Sequence, residues 1–289
     1  RLAECIRDGR VRSKVKVTVA EMLCQRIMAI AAGYEDCNDH DTLKSDPMLK
    51  LASGRAPITG GDLASQPTLS RFENSISSTQ LWRMEEVLLE LFMSGHRGSK
   101  VRRLIIDADA TDDPAHGQQQ FEFFHGFYDC HCFLPLLVYV TADDGEQELV
   151  ASVLRAGNVH AGHRLVSVLK RIVPRLATQF PDAQIVFRGD AGMALPAVYD
   201  FCEDAGVDYV VSLAKNSRLL ELGEGILRDA RAIYEETGEK VRHFGEFLYA
   251  AQSWPRERRV VMKAEIVDKG ENPRFVATNI SDLAAADLY

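Results

Sequence analysis

The sequence lacks the long apolar runs that membrane spans and signal peptides require. No stretch approaches the run of about 18 apolar residues that a transmembrane helix needs. The first residues, RLAECIRDGRVRSKVK, are mixed and charged and contain no apolar signal-peptide core. We therefore expect no membrane segment and a cytoplasmic location. Because the chain begins with Arg1 rather than Met, we also expect its natural start to lie upstream.

Cysteine is sparse, and only one pair is close in sequence. The chain has six cysteines in 289 residues, which does not suggest the disulfide framework of a short secreted protein. Cys130 and Cys132, with His125 and His131 nearby, raise the alternative of a zinc site. Their spacing is C-x-C, no second pair follows, and the segment alternates like a strand. We therefore favour structural cysteines over metal ligands.

The chain also has no excess of positive charge. Its net charge is −8 and its pI is near 5.5, which argues mildly against a nucleic-acid partner. A local basic patch matters more than net charge, however. Two basic clusters exist, HRGSKVRR (residues 96–103) and RERRVVMK (residues 256–263). A solvated charged face is an equally good interpretation of either cluster.

Helical patterns dominate the first 95 residues. Residues 16–33 carry apolar residues at helical spacing and end at Gly33, and residues 78–95 form a second amphipathic pattern with a Ser/Thr cap and a Gly stop. A polar turn and a short helix are predicted between them.

The segment GDLASQPTLSRFENSIS adds short helices between those two. Asp62 or Ser65 starts them and Pro67 separates two of them, with Ser70 and Arg71 on the second. The pattern resembles a helix-turn-helix, although turn-linked helices without DNA-binding activity are common.

The pattern changes at residue 101. Short apolar runs predict three strands followed by helix, strand, helix and strand up to Ala214, with Asp144-Gly145 as a hairpin turn. This order is typical of a mixed α/β sheet. After Ala214, a long helical pattern and three strand-like runs predict an antiparallel β-rich segment added to the α/β core.

Two predicted strands end in aspartates. LIIDADAT contains Asp107 and Asp109, and IVFRGDAG contains Asp190. In open α/β sheets, functional groups collect where strands end. A single Asp there is more often a turn cap, but two on neighbouring strands make a site an equally good interpretation. Close carboxylates repel unless a hard cation such as Mg²⁺ lies between them, and the sheet order is compatible with a ribonuclease-H-like fold.

Several long motifs, in order over nearly the whole chain, resemble one family. They are GYEDCNDHDTLKSDP, LASQPTLSRFEN, IIDADATDDPAHGQQ, GFYDCHCFLPLLVY, FRGDAGM and GVDYVVSLAKNSRL. The family is the DDE transposases of bacterial insertion sequences, in the branch called transposase DDE domain group 1. The resemblance implies a ribonuclease-H-like mixed-sheet catalytic core with an N-terminal helical region and a β-rich insertion. On this basis we divide the chain into residues 1–98, 99–214 and 215–289.

The resemblance also implies catalytic residues. Family members hold two Mg²⁺ ions, with Mn²⁺ as an alternative, through an Asp-Asp-Glu triad. The first carboxylate corresponds to Asp109, with Asp107 as the alternative on the same strand face, and the second to Asp190. The third, a Glu on a helix after the insertion, has no clear counterpart, because Glu265 lies within the insertion and fits a solvent-facing strand residue better. We therefore expect the triad to be incomplete, the final catalytic helix to be absent, and this chain to be an inactive fragment.

The implied activity is cleavage of DNA at the transposon ends followed by strand transfer. The implied partners are terminal inverted repeats and target DNA in the bacterial cytoplasm, bound by at least a homodimer. Candidate DNA contacts are Ser70, Arg71, Lys215, Asn216 and Arg218, although the last three equally fit a polar helix start. Residues of the loop after Asp109 either shape the site or form turns: Asp112, Asp113, His116 and Gln118.

Two other functions remain open at this point. One is a metal-dependent nuclease without strand transfer, which would use the same chemistry. The other is a non-catalytic DNA-binding remnant that competes with intact transposase for DNA ends, and the missing Glu favours it.

Overall fold

A computed structural model of the chain describes residues 1–117 and 119–289. The chain divides into two compact units, Arg1–Leu88 and Leu89–Tyr289. Within the described ranges, no helix is both long and apolar enough to cross a bilayer.

The first unit is helical, as predicted. Its α-helices are α1 (Val19–Ala31), α2 (His40–Leu43), α3 (Pro47–Ala52), α4 (Gln66–Asn74) and the first part of α5 (Ser78–Gly95). Helix α1 begins at a capping box, in which Thr18 and Glu21 each bind the other's backbone N–H. Buried apolar side chains from α1, α4 and the preceding segment form its core.

Pro67 does not separate two helices. It lies in the first turn of α4, and Ser65 occupies the N-cap position. Proline is tolerated there because the first N–H groups of a helix have no intrahelical partner. The prediction of two short helices around Pro67 is therefore wrong, and Ser70 and Arg71 lie on one continuous helix.

The second unit is built on an eight-stranded mixed sheet. Its strands are β1 (Arg103–Ala110), β5 (Leu136–Ala142), β6 (Gln147–Val153), β7 (Gln184–Gly189), β8 (Asp208–Leu213), β9 (Val241–Tyr249), β10 (Arg258–Val267) and β11 (Gly270–Thr278). Their order is β6-β5-β1-β7-β8-β11-β10-β9. Strands β1, β7 and β8 are parallel, and β5 and β6 run antiparallel to form one edge. The first five strands in this order form a ribonuclease-H-like core, which confirms the predicted fold class.

The β-rich segment extends this sheet. Strand β11 pairs antiparallel with β8, and β10 and β9 follow it, so the last three strands continue the core sheet. Three further helices belong to this unit: α6 (Leu165–Gln179), α7 (Pro196–Ala205) and α8 (Ser217–Thr237). The core of the unit combines the apolar residues of the sheet with those of its helices.

A small second sheet lies between β1 and β5 in sequence. It consists of β2 (Asp113–Pro114), β4 (Cys130–Phe133) and β3 (Phe123–His125), in that spatial order. Asp113 pairs with Phe133 and Pro114 with Cys132. Asp113 and Pro114 therefore lie in a short edge strand, so the interpretation of Asp113 as a turn residue is wrong. Pro114 fits there because an edge strand does not need every N–H.

Candidate active site

The register of β1 and β7 brings two predicted site residues together. Asp107 pairs with Arg188 and Ala108 with Gly189 in this parallel ladder. The next residue along each strand direction is Asp109 on β1 and Asp190 just after β7. Both aspartates are exposed. Two carboxylates therefore lie side by side where two neighbouring strands end.

The backbone after β7 positions Asp190. Asp190 is the N-cap of a short 3₁₀ turn (Ala191–Met193), and its Oδ1 accepts a hydrogen bond of 2.9 Å from the Gly192 N–H. Glycine at position 192 leaves room for this turn, because a Cβ there would lie 2.7 Å from the Ala161 Cβ and 3.1 Å from Asp190 Oδ1. The spacing of RGDAG is thus explained by the turn that holds the carboxylate.

Asp107 has a different environment from Asp109. Arg188 donates two hydrogen bonds of 2.8 Å to its two carboxylate oxygens, and Gln147 donates a third of 3.1 Å. In contrast, no basic side chain among the described residues pairs with Asp109 or Asp190. The charge of Asp107 is compensated, and the charges of Asp109 and Asp190 are not.

Tyr128 connects the small sheet with this site. Its hydroxyl donates a hydrogen bond of 2.9 Å to the Ala110 carbonyl, one residue after Asp109. Burial raises the pKa of Tyr128, and the negative charges of Asp112, Asp109 and Asp190 raise it further. Asp112 therefore lies close enough to Tyr128 to add to the field of the two site carboxylates.

The other predicted loop residues are less informative. Asp113 and His116 are exposed, and the His116 carbonyl accepts a hydrogen bond from the Gln119 side chain. Gln118 lies outside the described residues.

Among the described residues, no third carboxylate lies with Asp109 and Asp190. In the same part of the chain, no group of three or more His, Cys, Asp or Glu side chains could hold a metal ion. Glu265 lies on β10, which is separated from β1 by β7, β8 and β11. It forms ion pairs with Lys240 at 2.9 Å and Arg242 at 3.0 Å. These ion pairs lower the pKa of Glu265 to about 2.

The residues present fit an ion that prefers oxygen ligands. Asp109 and Asp190 offer carboxylate oxygens without a competing cation, whereas Asp107 does not. Mg²⁺ is often bound by one or two carboxylates together with phosphate oxygens of a substrate. The pair thus matches part of a Mg²⁺ or Mn²⁺ site.

Three candidate DNA contacts follow β8, and all three have partners within the chain. Asn216 caps α8, accepting a hydrogen bond of 2.9 Å from the Leu219 N–H. Arg218 pairs with Glu221 at 2.8 Å, and Lys215 donates to Asn272 at 3.5 Å. The helix-start interpretation therefore describes Asn216 well. Lys215 and Arg218 are exposed and remain available to a ligand.

The two basic clusters differ in the structure. In residues 256–263, Arg256 pairs with Glu203, Arg259 pairs with Glu246, and the buried Arg258 binds both Glu203 and Asp200. The arginines of this cluster are therefore paired within the chain and do not form a free basic patch.

In residues 96–103, Arg97, Lys100 and Arg102 are exposed. In the ranges that the structure covers, no carboxylate pairs with their side chains. This cluster remains available to a polyanion.

The cysteine-containing strand is confirmed, since Cys130 and Cys132 both lie on β4. Burial, followed by a hydrogen bond with Cys130, raises the pKa of Cys132 to about 11.

Two residues of the site were not found from the sequence. Arg188, the Arg of RGDAG, was overlooked because its partner Asp107 is 81 positions away. Tyr128 lies in the quoted motif GFYDCHCFLPLLVY, but its proximity to Asp109 depends on the small sheet, which was not predicted.

The comparisons with known proteins give a family and distant structural neighbours. The model of the family transposase DDE domain group 1 matches residues 1–289. The search of curated proteins found no match. Among solved structures, the piggyBac transposase synaptic complex with hairpin DNA has a TM-score of 0.44 at 11% identity, covering 96% of this chain and 56% of that chain.

Two other structures are more distant. The NurA nuclease from Sulfolobus solfataricus has a TM-score of 0.31 at 7% identity, covering 74% of this chain and 85% of that chain. The Mos1 transposase paired-end complex has a TM-score of 0.24 at 14% identity, covering 79% of this chain and 67% of that chain. These TM-scores are low, so the fold is assigned from the strand order. With its sequence matched over its whole length, the chain belongs to the transposase DDE domain group 1 family.

Proposed function

We propose that this chain contributes two metal-binding carboxylates, Asp109 and Asp190, to DNA cleavage by an insertion-sequence transposase. The observation that carries the proposal is their position side by side, Asp109 near the end of β1 and Asp190 just after β7, without a pairing cation among the described residues. Like charges repel, and among the described residues neither carboxylate has a basic side chain beside it, as Asp107 has in Arg188. An unpaired couple at strand ends instead suits a divalent cation.

Each residue of the site has a separate role in this proposal. Asp109 and Asp190 would hold Mg²⁺ or Mn²⁺. A pair of such ions would stabilise the attacking and leaving oxygens in cleavage of a phosphodiester. Asp107 and Arg188 keep the two strands in register. Tyr128 holds the small sheet against the end of β1.

The absence of a third converging carboxylate from the described residues limits the activity we propose. Two carboxylates bind a divalent ion more weakly than three, and the family pattern needs a Glu. We therefore propose that this chain alone binds metal and DNA but does not complete strand transfer. In this form it would act as a DNA-binding competitor, which is the second candidate function.

The proposed partners are the terminal inverted repeats and target DNA. We assign DNA binding to residues 1–98, through Ser70 and Arg71 on α4, with catalysis in residues 99–214. The exposed Lys215 and Arg218, together with Asn216, would contact the DNA backbone near the start of residues 215–289. We further propose that two or more copies assemble on DNA in the bacterial cytoplasm.

A metal titration tests the site directly. Mn²⁺ binding to the chain is followed by electron paramagnetic resonance, and Asp190→Ala is expected to weaken it at least about tenfold, or about 1.4 kcal/mol. Asp182→Ala is the matched control, since it removes an exposed carboxylate just before β7. Equal binding by wild type and Asp190→Ala would refute the site.

A cleavage assay separates the two candidate functions. The chain is incubated with Mg²⁺ and DNA carrying the inverted repeats that flank its gene. We expect DNA binding without strand transfer. Nicking that disappears in Asp190→Ala would identify a nuclease, and nicking that survives this substitution would contradict the proposal.

A further inference from the structure

The first unit contains a cleft that the proposed site does not use. The cleft has a volume of about 770 Å³ and is lined by residues 6–10, by α1 and α4, and by residues around the start of α5. Its volume is in the range of small-ligand sites, roughly 300–1,000 Å³. It is therefore large enough for a nucleotide and too small to enclose a duplex.

Arginines form the rim of this cleft. Arg7, Arg10, Arg71 and Arg83 all line it, against a single carboxylate, Asp8. Arg10 binds Asp8 through hydrogen bonds of 2.7 and 2.8 Å. The other three arginines are exposed, and no carboxylate in the described part of the chain pairs with them. The rim thus carries positive charge on a protein whose net charge is −8.

The floor of the cleft is apolar. Met22 is 1% exposed and Phe72 is 8% exposed, and with Ile6 and Val19 they belong to the hydrophobic core of the unit. Phosphate groups alone would need only the cationic rim. The combination suits a ligand with an anionic part and a flat apolar part.

Hydroxyl groups complete the lining. Thr68, Ser75, Ser77 and Thr79 also face the cleft. Hydroxyls and guanidinium groups together are the usual partners of phosphate and sugar oxygens in DNA complexes.

We propose that this cleft binds a nucleotide of single-stranded DNA. Its phosphates would contact Arg7, Arg71 and Arg83, and its base would rest on the apolar floor at Phe72. Single-strand-binding proteins combine a positively charged groove with aromatic side chains under the bases. A duplex keeps its bases stacked inside, so it cannot use the apolar floor. The inference rests on the proposed function in one respect, namely that DNA is the partner of this chain.

A binding assay with matched charge changes tests the rim. Fluorescence anisotropy measures the affinity of the chain for a labelled 12-nucleotide single strand and for its duplex. The oligonucleotide has a sequence unrelated to the inverted repeats, so that specific duplex binding does not contribute, and the single strand should bind more tightly than the duplex. The double variant Arg71→Glu/Arg83→Glu should weaken single-strand binding by roughly tenfold or more at about 0.1 M salt, and lower the salt slope by about 0.7 per lost contact.

Arg12→Glu/Lys14→Glu is the control variant, because Arg12 and Lys14 are exposed in the same unit but do not line the cleft, and the charge change is the same. It should reproduce wild-type affinity. Equal losses in the control and in the cleft variant would overturn the proposal, as would equal binding of single strand and duplex.

The floor is tested without changing the protein. A strand with abasic positions keeps its phosphates but has no bases, so it should bind several-fold more weakly than the normal strand. Equal affinity of the two strands would overturn the assignment of a base to the floor. Thermal unfolding checks that each variant is folded, and the abasic comparison on wild type holds even if a variant unfolds.

The outcome is separable from that of the proposed active site. The cleft variants lie in the first unit and should leave Mn²⁺ affinity unchanged, whereas Asp190→Ala should leave single-strand affinity in metal-free buffer unchanged. If the cleft variants keep single-strand affinity, the cleft proposal fails. If Asp190→Ala keeps Mn²⁺ affinity, the metal-site proposal fails, and neither result decides the other proposal.

Discussion

Asp107 and Arg188 face each other across β1 and β7 and share two hydrogen bonds of 2.8 Å. The pair stands two residues before Asp109 and Asp190 in the parallel register. The bidentate contact raises the pKa of Arg188 and keeps Asp107 compensated. Alternation along β1 places Asp107 and Asp109 on the same face, so both were candidates for the first metal ligand. This ion pair is the reason that we assign the metal to Asp109.

The first prediction separates the two aspartates of β1. Asp109→Asn should weaken Mn²⁺ binding by about tenfold or more, because it removes a ligand. Asp107→Asn should weaken it by no more than a few-fold, because that carboxylate already binds Arg188 and the change alters only the local charge. Paramagnetic resonance titration measures both affinities. A larger loss in Asp107→Asn than in Asp109→Asn would reverse the assignment.

The second prediction concerns Gly192, whose N–H binds Asp190. Gly192→Ala should lower the free energy of unfolding by about 1–3 kcal/mol, because its Cβ would collide with Ala161. It should also weaken Mn²⁺ binding by displacing Asp190. Urea unfolding and the metal titration provide the two measurements.

Gly225→Ala is the control for that substitution. Gly225 lies exposed within α8, and nothing stands within 4 Å of an added Cβ. Alanine should therefore stabilise the helix by roughly 0.5–1 kcal/mol. A loss of stability in both variants would show that crowding at Gly192 is not the cause.

Most regular elements could be predicted because their signals are local. Helix α1 lies within predicted residues 16–33, and α5 has the predicted bounds, since capping residues and glycines mark their ends. The small sheet could not be predicted, because β2 has only two residues and pairs with β4 across the loop. Strands this short have no readable period.

The candidate site was predictable in part for the same reason. Aspartates after apolar runs identify strand ends, so Asp109 and Asp190 stood out in the sequence. Their side-by-side placement and the pairing of Asp107 with Arg188 depend on strand register, which no local pattern contains. Whether the arginines in residues 256–263 are paired or free likewise depends on carboxylates that are distant in sequence.

A buried polar cluster in the first unit leads to the third prediction. Gln25 donates to the Ala64 carbonyl at 2.9 Å and to His40 Nδ1 at 3.0 Å, and Arg26 lies 3.3 Å from His40 Nε2. Arg26 also binds Glu73 on α4. Because Ala64 fixes the Gln25 amide, Nδ1 of His40 accepts a hydrogen bond and the neutral ring is favoured. Burial, followed by the charge of Arg26, lowers the pKa of His40.

Stability should therefore depend on pH through His40. The unfolded ring titrates near 6.5 and the folded ring below that value. Above pH 6.5 the His40 ring is neutral in both the folded and the unfolded state, so its contribution to the free energy of unfolding is fully present. As the pH falls below 6.5, the unfolded state binds a proton first and the free energy of unfolding decreases. Urea unfolding between pH 5 and 7.5 measures this decrease.

His40→Gln should remove that part of the pH dependence, whatever its effect at pH 7.5. His116→Gln, at an exposed position, should retain it. An unchanged slope in His40→Gln would show that another group is responsible.

The last prediction concerns Arg258, the buried arginine of the second basic cluster. Its side chain is 2% exposed, binds Glu203 and Asp200, and lies 4.9 Å from the centre of the Tyr199 ring. Arg258→Ala should lower the free energy of unfolding by about 1–3 kcal/mol, because Glu203 and Asp200 lose hydrogen bonds from a buried guanidinium, although Arg256 still pairs with both. Arg256→Ala, whose side chain is 56% exposed, should cost no more than about 1 kcal/mol. Urea unfolding compares the two, and similar costs would show that the burial of Arg258 does not set its contribution to stability.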